Sequence, residues 1–258
     1  MSNLKGFFNG EQIFIPTGWP SLDASMNGGL LRGTLTALAA RPGTGTSVLV
    51  INLCINFAAC GHPCLFLTHD GERLCVAKML AAVSSAFISI DDALHQIETG
   101  NIDETLSTAA DELDKLNIGI KNITPFIDEQ LGVIEKFARD NSRCSKPLVI
   151  VIDGIDDFNG YTLNRLKDCA SVYDAVVVVT VHNFLDRDDL CSWVGVAMEE
   201  VLNSCDTVLL VEKDSLDLKL SICKCRYSKV HQAQDAVLLT PFFKSANVFE
   251  LSYEEDDS

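Results

Sequence analysis

Short apolar runs rich in β-branched residues alternate with longer segments of helical periodicity along this chain. Two of the runs, Leu148–Asp153 and Ala175–Val181, are apolar at successive positions, which is typical of strands buried on both faces of a sheet. The alternation of strands with helices favours right-handed crossovers and a mostly parallel sheet. The pattern predicts further strands at Thr34–Ala40, Cys64–Thr68, Asn117–Ile123 (as an edge strand), Thr207–Val211, Lys219–Lys224 and Ala236–Thr240.

The segments between these runs carry the predicted helices. Thr46–Ala59 is apolar on nearly every face, which predicts a buried helix. The last two strands are expected to form a hairpin around Arg226–Gln234. The predicted fold is therefore α/β, with a mostly parallel central sheet, flanking helices and a C-terminal β-hairpin. The other predicted helices are Glu72–Ser84, Asp91–Glu98, Asp103–Leu116, Ile127–Asp140 and Leu163–Tyr173.

Length and composition are those of one globular domain. The chain has 258 residues, of which 47% are hydrophobic, enough for a large core. We expect a short N-terminal arm at 1–12, a core at 13–252 and a solvated acidic tail at 253–258. The sequence contains no apolar run of membrane-spanning length and no secretory signal, so we expect a cytoplasmic protein that is not secreted.

The charge balance bears on the class of partner. The formal net charge is −16 and the pI is near 4.6, whereas a protein that follows a nucleic-acid backbone usually needs a basic groove. Nucleic acid is therefore not an expected partner, although simple solubility also explains the acidity. The ten cysteines include no Cys-x-x-Cys pair, which favours free, buried, reduced thiols over a zinc site.

A glycine-rich turn between a predicted strand and the buried helix carries the clearest chemical signal. In such a P-loop, backbone N–H groups and the helix N-terminus hold phosphates, and a hydroxyl holds Mg²⁺. A strand–helix turn without any ligand is the alternative interpretation. Lysine normally neutralises the phosphates at the position that Thr46 occupies here. The turn consists of Arg41, Pro42, Gly43, Thr44, Gly45, Thr46 and Ser47.

Around this turn the sequence resembles the C-terminal motor domain of DnaB-type hexameric replicative helicases. Pro-Thr-Gly, Leu-Asp, Gly-Gly-Leu and Ala-Arg-Pro-Gly occur in family order within Ile15–Ser47. A weaker, collinear similarity extends over roughly Ile13 to Ser252. The resemblance implies a RecA-like P-loop core. It also implies that Ser47 is the magnesium-binding hydroxyl and Asp153 the Walker B carboxylate.

The same resemblance assigns a role to two basic residues near the C-terminus. Lys224 and Arg226 match the Lys-x-Arg pair that reaches a neighbouring subunit's nucleotide as an arginine finger. A hairpin that carries two solvated bases is the alternative interpretation, and the sequence leaves the two open.

Three departures from the family pattern concern catalysis. Thr46 replaces the phosphate lysine. His69 stands at or beside the position of the water-activating glutamate, with Asp70 and Glu72 nearby. Val181 stands where the resemblance implies a polar glutamine sensor. Three losses together predict that ATP is not turned over.

Histidines at two strand ends raise the question of a metal. His69 and His182 both lie at the carboxyl ends of predicted central strands, where ligands collect in such sheets. Without a third clear ligand, no metal site is predicted. We expect no tightly bound cofactor, and at most weak binding of ATP and Mg²⁺.

The segment that replaces the family's channel loop is acidic. It contains one arginine, so it should repel DNA, and we interpret it as a candidate partner surface with Trp193, Val194 and Met198 as possible anchors. Packing of Trp193 in the core is the alternative. The acidic residues assigned to this surface, together with its tryptophan, are Asp186, Asp188, Asp189, Trp193, Glu199 and Glu200.

The sequence leaves three functional hypotheses. The first is a pseudoenzyme that binds another protein and does not form a hexameric ring, because the family's N-terminal domain and linker helix are not in this sequence. The second is an active or accessory DnaB-like helicase, and the third is a nucleotide sensor that does not hydrolyse. A bacteriophage origin would suit a helicase core that has diverged in this way.

Overall fold

The computed structural model describes residues 13–154, 160–182, 196–227 and 237–250. In these ranges we number strands and helices in chain order. The strands are β1 (Phe14–Ile15), β2 (Leu30–Leu31), β3 (Thr34–Ala40), β4 (Cys64–Thr68), β5 (Ile118–Asn122), β6 (Val149–Asp153), β7 (Val176–His182), β8 (Thr207–Asp214), β9 (Asp217–Cys225), β10 (Val237–Phe242) and β11 (Asn247–Glu250). The helices are α1 (Pro20–Ser25), α2 (Thr46–Ala59), α3 (Glu72–Val83), α4 (Ile90–Thr99), α5 (Glu104–Leu113), α6 (Ile127–Asp140), α7 (Gly160–Tyr173) and α8 (Val196–Ser204).

Most of the described strands belong to one nine-stranded sheet, in the order β11-β10-β9-β8-β3-β7-β6-β4-β5. The strands from β8 to β5 are parallel to one another. Strands β9, β10 and β11 continue the sheet in antiparallel pairs. The predicted mostly parallel sheet, its edge strand β5 and the β9–β10 hairpin are therefore confirmed.

Both faces of the central strands are buried, as the uninterrupted apolar runs predicted. In β6, Val149 and Val151 face a core that contains α2, whereas Ile150 and Ile152 face a second core that contains α6 and α7. A smaller apolar cluster joins α3, α4 and α5. The central strands are therefore held between two helical layers, one on each face of the sheet.

Helix α2 packs along the middle of the sheet. Leu49, Cys54 and Phe57 are each 0% exposed. The helix is apolar around most of its circumference, and its inner polar residues bond to neighbouring segments, as Asn52 does to the Ala246 carbonyl at 2.6 Å. The prediction of a buried helix is confirmed, and its N-terminus lies at the end of β3.

The family-like motifs before β3 attach the N-terminal segment to α2. The Thr17 N–H and hydroxyl donate to Asp23 Oδ1 at 2.7 and 2.8 Å, and Asn56 Nδ2 donates to the Thr17 carbonyl at 3.0 Å. A Cβ atom at Gly18 would lie 2.5 Å from the Asn56 side chain. These motif residues are thus needed for packing rather than for chemistry.

Several elements were absent from the sequence prediction. The strands β1, β2 and β11 are short, and α1 and α8 lie in segments whose periodicity is weak. Strand β8 continues past Val211 to Asp214 because its exposed end pairs with the start of β9, where polar residues need no burial.

The cysteines agree only partly with the expectation of buried thiols. Nine described cysteines are free, and Cys54, Cys64 and Cys75 are buried together with two others. Cys60, Cys144 and Cys223 are exposed, so burial was wrong for these three.

None of the helices in the described ranges is long and apolar enough to cross a membrane.

Two glycines predict opposite effects of alanine on the free energy of unfolding. Gly29 has φ of +126°, and a Cβ atom there would lie 2.5 Å from the Ile15 carbonyl carbon. Gly29→Ala should therefore destabilise the fold by on the order of 3 kcal/mol. Gly132→Ala in α6 meets open space and should stabilise by about 0.5–1 kcal/mol. Urea unfolding of both variants checks this, and equal effects would contradict the packing described here.

Candidate functional site

The glycine-rich loop lies at the carboxyl edge of the parallel strands, between β3 and α2. Gly43 and Gly45 have left-handed backbones, with φ of +78° and +106°. A Cβ atom at Gly45 would lie 2.5 Å from the Phe243 ring, so both conformation and space require glycine there. The Thr44 hydroxyl donates to the Arg41 carbonyl at 2.7 Å and closes the turn. The loop thus has the tight turn that a phosphate-binding loop requires.

The side chain at position 46 is directed into the protein. Thr46 is 3% exposed, and its Oγ1 lies 2.5 Å from Nε2 of His182. A hydroxyl carries no charge, so position 46 offers none to a phosphate. The Val48 N–H already donates to the Gly45 carbonyl at 3.1 Å, whereas the N–H groups of Thr46 and Ser47 come before any acceptor of the helix and remain as donors. The exposed part of the loop consists of Arg41, Pro42 and Gly43.

Ser47 and Asp153 are brought together at the same edge. The Ser47 side chain lies beside the Asp153 carboxylate, which is 6% exposed. The Thr180 hydroxyl donates to Asp153 Oδ1 at 3.1 Å and accepts from the Gly154 N–H at 2.6 Å. Burial raises the pKa of Asp153, while the neighbouring hydroxyls of Ser47 and Thr180 oppose the rise. A hydroxyl beside a carboxylate suits Mg²⁺, which prefers oxygen ligands. Sequence reasoning missed Thr180, because a threonine inside an apolar strand gives no signal.

The segment that follows β4, the strand next to Asp153, begins with an exposed histidine and a carboxylate. His69 is the first residue after β4, and its ring lies close to Gly154, where a Cβ atom would be 3.0 Å from His69 Cδ2. The charge of Asp70 raises the pKa of Asp153, so the two carboxylates are neighbours. Asp70 is paired with Lys78 of α3. The carboxylate that this segment adds beside Asp153 is therefore Asp70, which the sequence placed only near the glutamate position.

The last two residues of β7 lie in different surroundings. Val181 is 2% exposed and packs in the core formed with α6, α7 and α8. His182, the next residue, points to the other face and contacts Thr46. The polar side chain that β7 directs to the loop is therefore His182, and Val181 contributes packing.

Lys224 and Arg226 lie near the amino ends of the parallel strands, whereas the loop lies at their carboxyl ends. Cys225 pairs with Thr207 at the start of β8, and Thr207 pairs with Thr36 of β3. The stretch of β3 that separates this level from the loop is about 13 Å long. Neither basic residue can therefore contact the phosphate loop of its own chain.

Both basic residues make internal contacts at that edge. Lys224 Nζ donates to the carbonyls of Leu202 and Cys205 at the end of α8, the latter at 2.7 Å. Burial and the nearby Arg226 lower the pKa of Lys224. Arg226 Nη1 lies 2.9 Å from Asp206 Oδ1, which also contacts Lys167. The prediction that they act as fingers stays a prediction. The Arg226 side chain is 51% exposed, as the alternative of solvated bases expects, whereas Lys224 is half-buried.

An aromatic ring that the sequence did not single out covers the loop. Phe243 follows β10, and its ring lies over Gly45. Lys213 Nζ lies 5.7 Å from the centroid of that ring. Because β10 and the loop are far apart in sequence, no local pattern indicated this contact.

The candidate partner surface is only partly described. Glu199 is exposed and Glu200 half-buried on α8. Met198 is 7% exposed and packs in the core, so its prediction as an exposed anchor was wrong, because α8 turns that side chain toward the sheet. The remaining positions, Asp186, Asp188, Asp189, Trp193 and Val194, lie outside the described residues.

Metal-ligating side chains do not cluster in the ranges that the structure describes. No group of three or more His, Cys, Asp or Glu there is arranged to hold a metal ion by protein ligands alone.

Comparison with solved structures identifies the fold. A solved ATPase domain superposes with a TM-score of 0.76 at 17% identity, over 96% of this chain and 95% of that one. A structure of a DnaB-like replicative helicase and its interactions with primase gives a TM-score of 0.74 at 18% identity, over 95% of this chain and 64% of that one. These likenesses show that the chain has a RecA-like α/β fold.

Sequence comparison adds a curated relative and a family. The DNA repair protein RadA of Mycolicibacterium smegmatis is 32% identical over 93 residues, which are 34% of this chain and 20% of RadA. The chain thus matches about a fifth of that relative. The model of the DnaB-like helicase C terminal domain matches residues 14–173, which include the glycine-rich loop, Asp153 and the strands between them. This chain belongs to the family of DnaB-like helicase C-terminal domains.

Proposed function

We propose that this chain is a helicase-derived RecA-type protein that neither hydrolyses ATP nor moves along DNA, and that it acts as a protein-binding or regulatory module. The observation that carries the proposal is Thr46, whose buried side chain bonds to His182 instead of reaching toward a phosphate. Loss of a charged donor from a transition state with charge on phosphate oxygens costs roughly a thousandfold in rate.

The residues that follow β4 also support loss of hydrolysis. His69 stands at or beside the position of the water-activating glutamate, and the carboxylate next to it, Asp70, is held in an ion pair with Lys78 of α3. Loss of a general base lowers a rate by about 10² to 10⁴. Together with Thr46, this removes two separate contributions to turnover.

The alternative of an active or accessory helicase needs a lysine from elsewhere. Lys224 of the same chain lies at the far edge of the sheet, bonded to carbonyls of α8. The charge would have to come from a second copy, and Lys224 would first have to leave these contacts. This requirement disfavours the alternative.

A nucleotide sensor that does not hydrolyse is the second candidate, and it is favoured by the position of Ser47 beside the Asp153 carboxylate. The loop glycines and the first turn of α2 are suited to hold phosphates through backbone N–H groups. When bound, Mg²⁺ would supply positive charge between the phosphates, and Ser47 and Asp153 would hold it. Weak binding of ATP and Mg²⁺ is compatible with the protein-binding role.

Charge supports a protein partner over nucleic acid. A net charge of −16 gives a field that repels phosphate backbones. The DnaB-like helicase described with primase is a protein of this fold that binds another protein. We infer that this chain functions through protein contacts in the cytoplasm.

Steady-state turnover separates the pseudoenzyme from the helicase. Phosphate release by the purified chain with ATP and Mg²⁺ should be indistinguishable from that of Asp153→Ala, with or without single-stranded DNA. Turnover that falls when Asp153→Ala is introduced would sink the proposal, because only a site that uses this carboxylate would respond.

The sensor is tested by thermal unfolding with nucleotide. A ligand at 100 times its Kd stabilises a fold by about 2.7 kcal/mol. We expect a small stabilisation by ATP at millimolar concentration, with a Mg²⁺-dependent part that Asp153→Asn abolishes. Absence of any shift in the unmodified chain would rule out the sensor and leave the protein-binding role.

Restoring the lysine should restore phosphate affinity. A hydrogen bond to a charged group contributes about 1.5–3 kcal/mol, so Thr46→Lys should tighten ATP binding by roughly tenfold or more in titration calorimetry. Thr108→Lys, which adds the same charge at an exposed position on α5, is the control. A folded Thr46→Lys chain that binds no better than the control would contradict the role given to this position.

A further inference from the structure

A groove of about 500 Å³ runs between α6 and α7, on the sheet face opposite α2. Helix α6 contributes Asp128, Leu131, Gly132 and Glu135. Their spacing of three and four residues places them in one stripe along the helix. Helix α7 supplies the facing wall with the same spacing, so the groove follows the helix axes.

The groove exposes apolar surface that the fold does not cover. Val172 on α7 is 75% exposed, and Leu131 on α6 is half-buried. A Cβ atom at Gly132 would meet no atom within 4 Å, so this wall leaves room for a side chain from outside. An apolar strip of this kind, with polar residues at its rim, is typical of a protein interaction site.

The rim of the groove carries more negative than positive charge. Arg165 of α7 is the basic residue that lines the groove, and it bridges the two helices because its guanidinium pairs with Asp128 at 3.1 Å. The carboxylate of Asp168 makes no ion pair with another described side chain. Glu135 pairs with Arg139 at 3.5 Å, but both side chains are more than half exposed, so this pair is weak.

Glu135 of α6 lines the groove, as does Tyr173 of α7. Burial and the charge of Glu135 raise the pKa of Tyr173, which agrees with their closeness across the groove. Two carboxylates, at Glu135 and Asp168, remain available to a ligand on either side of the apolar strip.

We propose that this groove binds a basic amphipathic helix of a protein partner. An apolar stripe of that helix would pack on Leu131 and Val172, and its Lys or Arg side chains would pair with Glu135 and Asp168. The inference rests on the proposed protein-binding role and names the surface and the class of partner. A second copy fits poorly, because two chains of net charge −16 repel each other.

The test selects helices against the purified chain from a displayed library of 18-residue amphipathic helices with randomised surface positions. The selected helices should have a net positive charge and an apolar stripe. In fluorescence anisotropy at physiological salt, their affinity should fall tenfold or more for Asp168→Lys and for Val172→Ser. Both positions are exposed, so neither change should unfold α7, and thermal unfolding verifies this.

Matched substitutions elsewhere control for charge and for apolar surface. Asp111→Lys changes an exposed carboxylate on α5, and Leu216→Ser changes an 80% exposed side chain between β8 and β9. Each should change affinity less than twofold. The inference would be overturned if the selected helices were neutral or acidic. It would also be overturned if they bound the groove variants as tightly as the unmodified chain. Self-association that Val172→Ser abolishes would instead assign the groove to a second copy.

The outcome is independent of catalysis. If the unmodified chain hydrolyses ATP and the selected helices still require Val172 and Asp168, the proposed loss of activity fails and the groove remains. If hydrolysis is absent and the groove variants bind normally, only the inference fails.

Discussion

The burial of α2 against the central strands is the constraint on which the rest of the structure depends. Because this helix is apolar on most faces, its position is set by packing with β3 and its neighbours and not by any ligand. Its N-terminus must then lie at the carboxyl edge of the sheet, where the loop glycines turn the chain. A phosphate loop of this kind keeps its shape without its lysine, since no part of that packing uses the lysine's charge.

The same packing explains which polar contacts survive at the edge. With α2 in place, Ser47 meets Asp153 and Thr46 meets His182. The first contact retains the oxygen ligands that Mg²⁺ needs, while the second contains no fixed cation that would stabilise charge on a phosphate. The site therefore separates binding, which backbone groups can still support, from hydrolysis, which needs charged groups in defined places.

The basic residues near the amino ends of the parallel strands have structural partners of their own. Asp206 accepts a hydrogen bond from the Leu35 N–H at 3.2 Å and pairs with Lys167 and Arg226. Removal of Arg226 to serve a neighbouring molecule would leave a buried carboxylate with less compensation, which has a free-energy cost. These contacts hold the β8–β9 pair to α7 and α8, and they give Arg226 a role inside a single chain.

Periodicity predicted the main strands and helices because burial on two faces leaves an unbroken apolar run, as in β6 and β7. The loop and the Ser47–Asp153 pair could also be anticipated, since both follow from where parallel strands end. Phe243 over Gly45, Asp70 with Lys78 and Thr46 with His182 depend on side-chain directions between distant segments, which local pattern does not encode. Met198 was misplaced for the same reason, because an apolar residue in an acidic segment gives no sign of which way its helix turns.

The central claim is that the chemical step no longer occurs at this loop. Single-turnover incubation, with the protein in excess over γ-labelled ATP and with Mg²⁺ present, measures that step without requiring product release. We expect labelled phosphate to be released no faster than in the protein-free control. Release of labelled phosphate that scales with protein concentration and disappears in Asp153→Ala would contradict it.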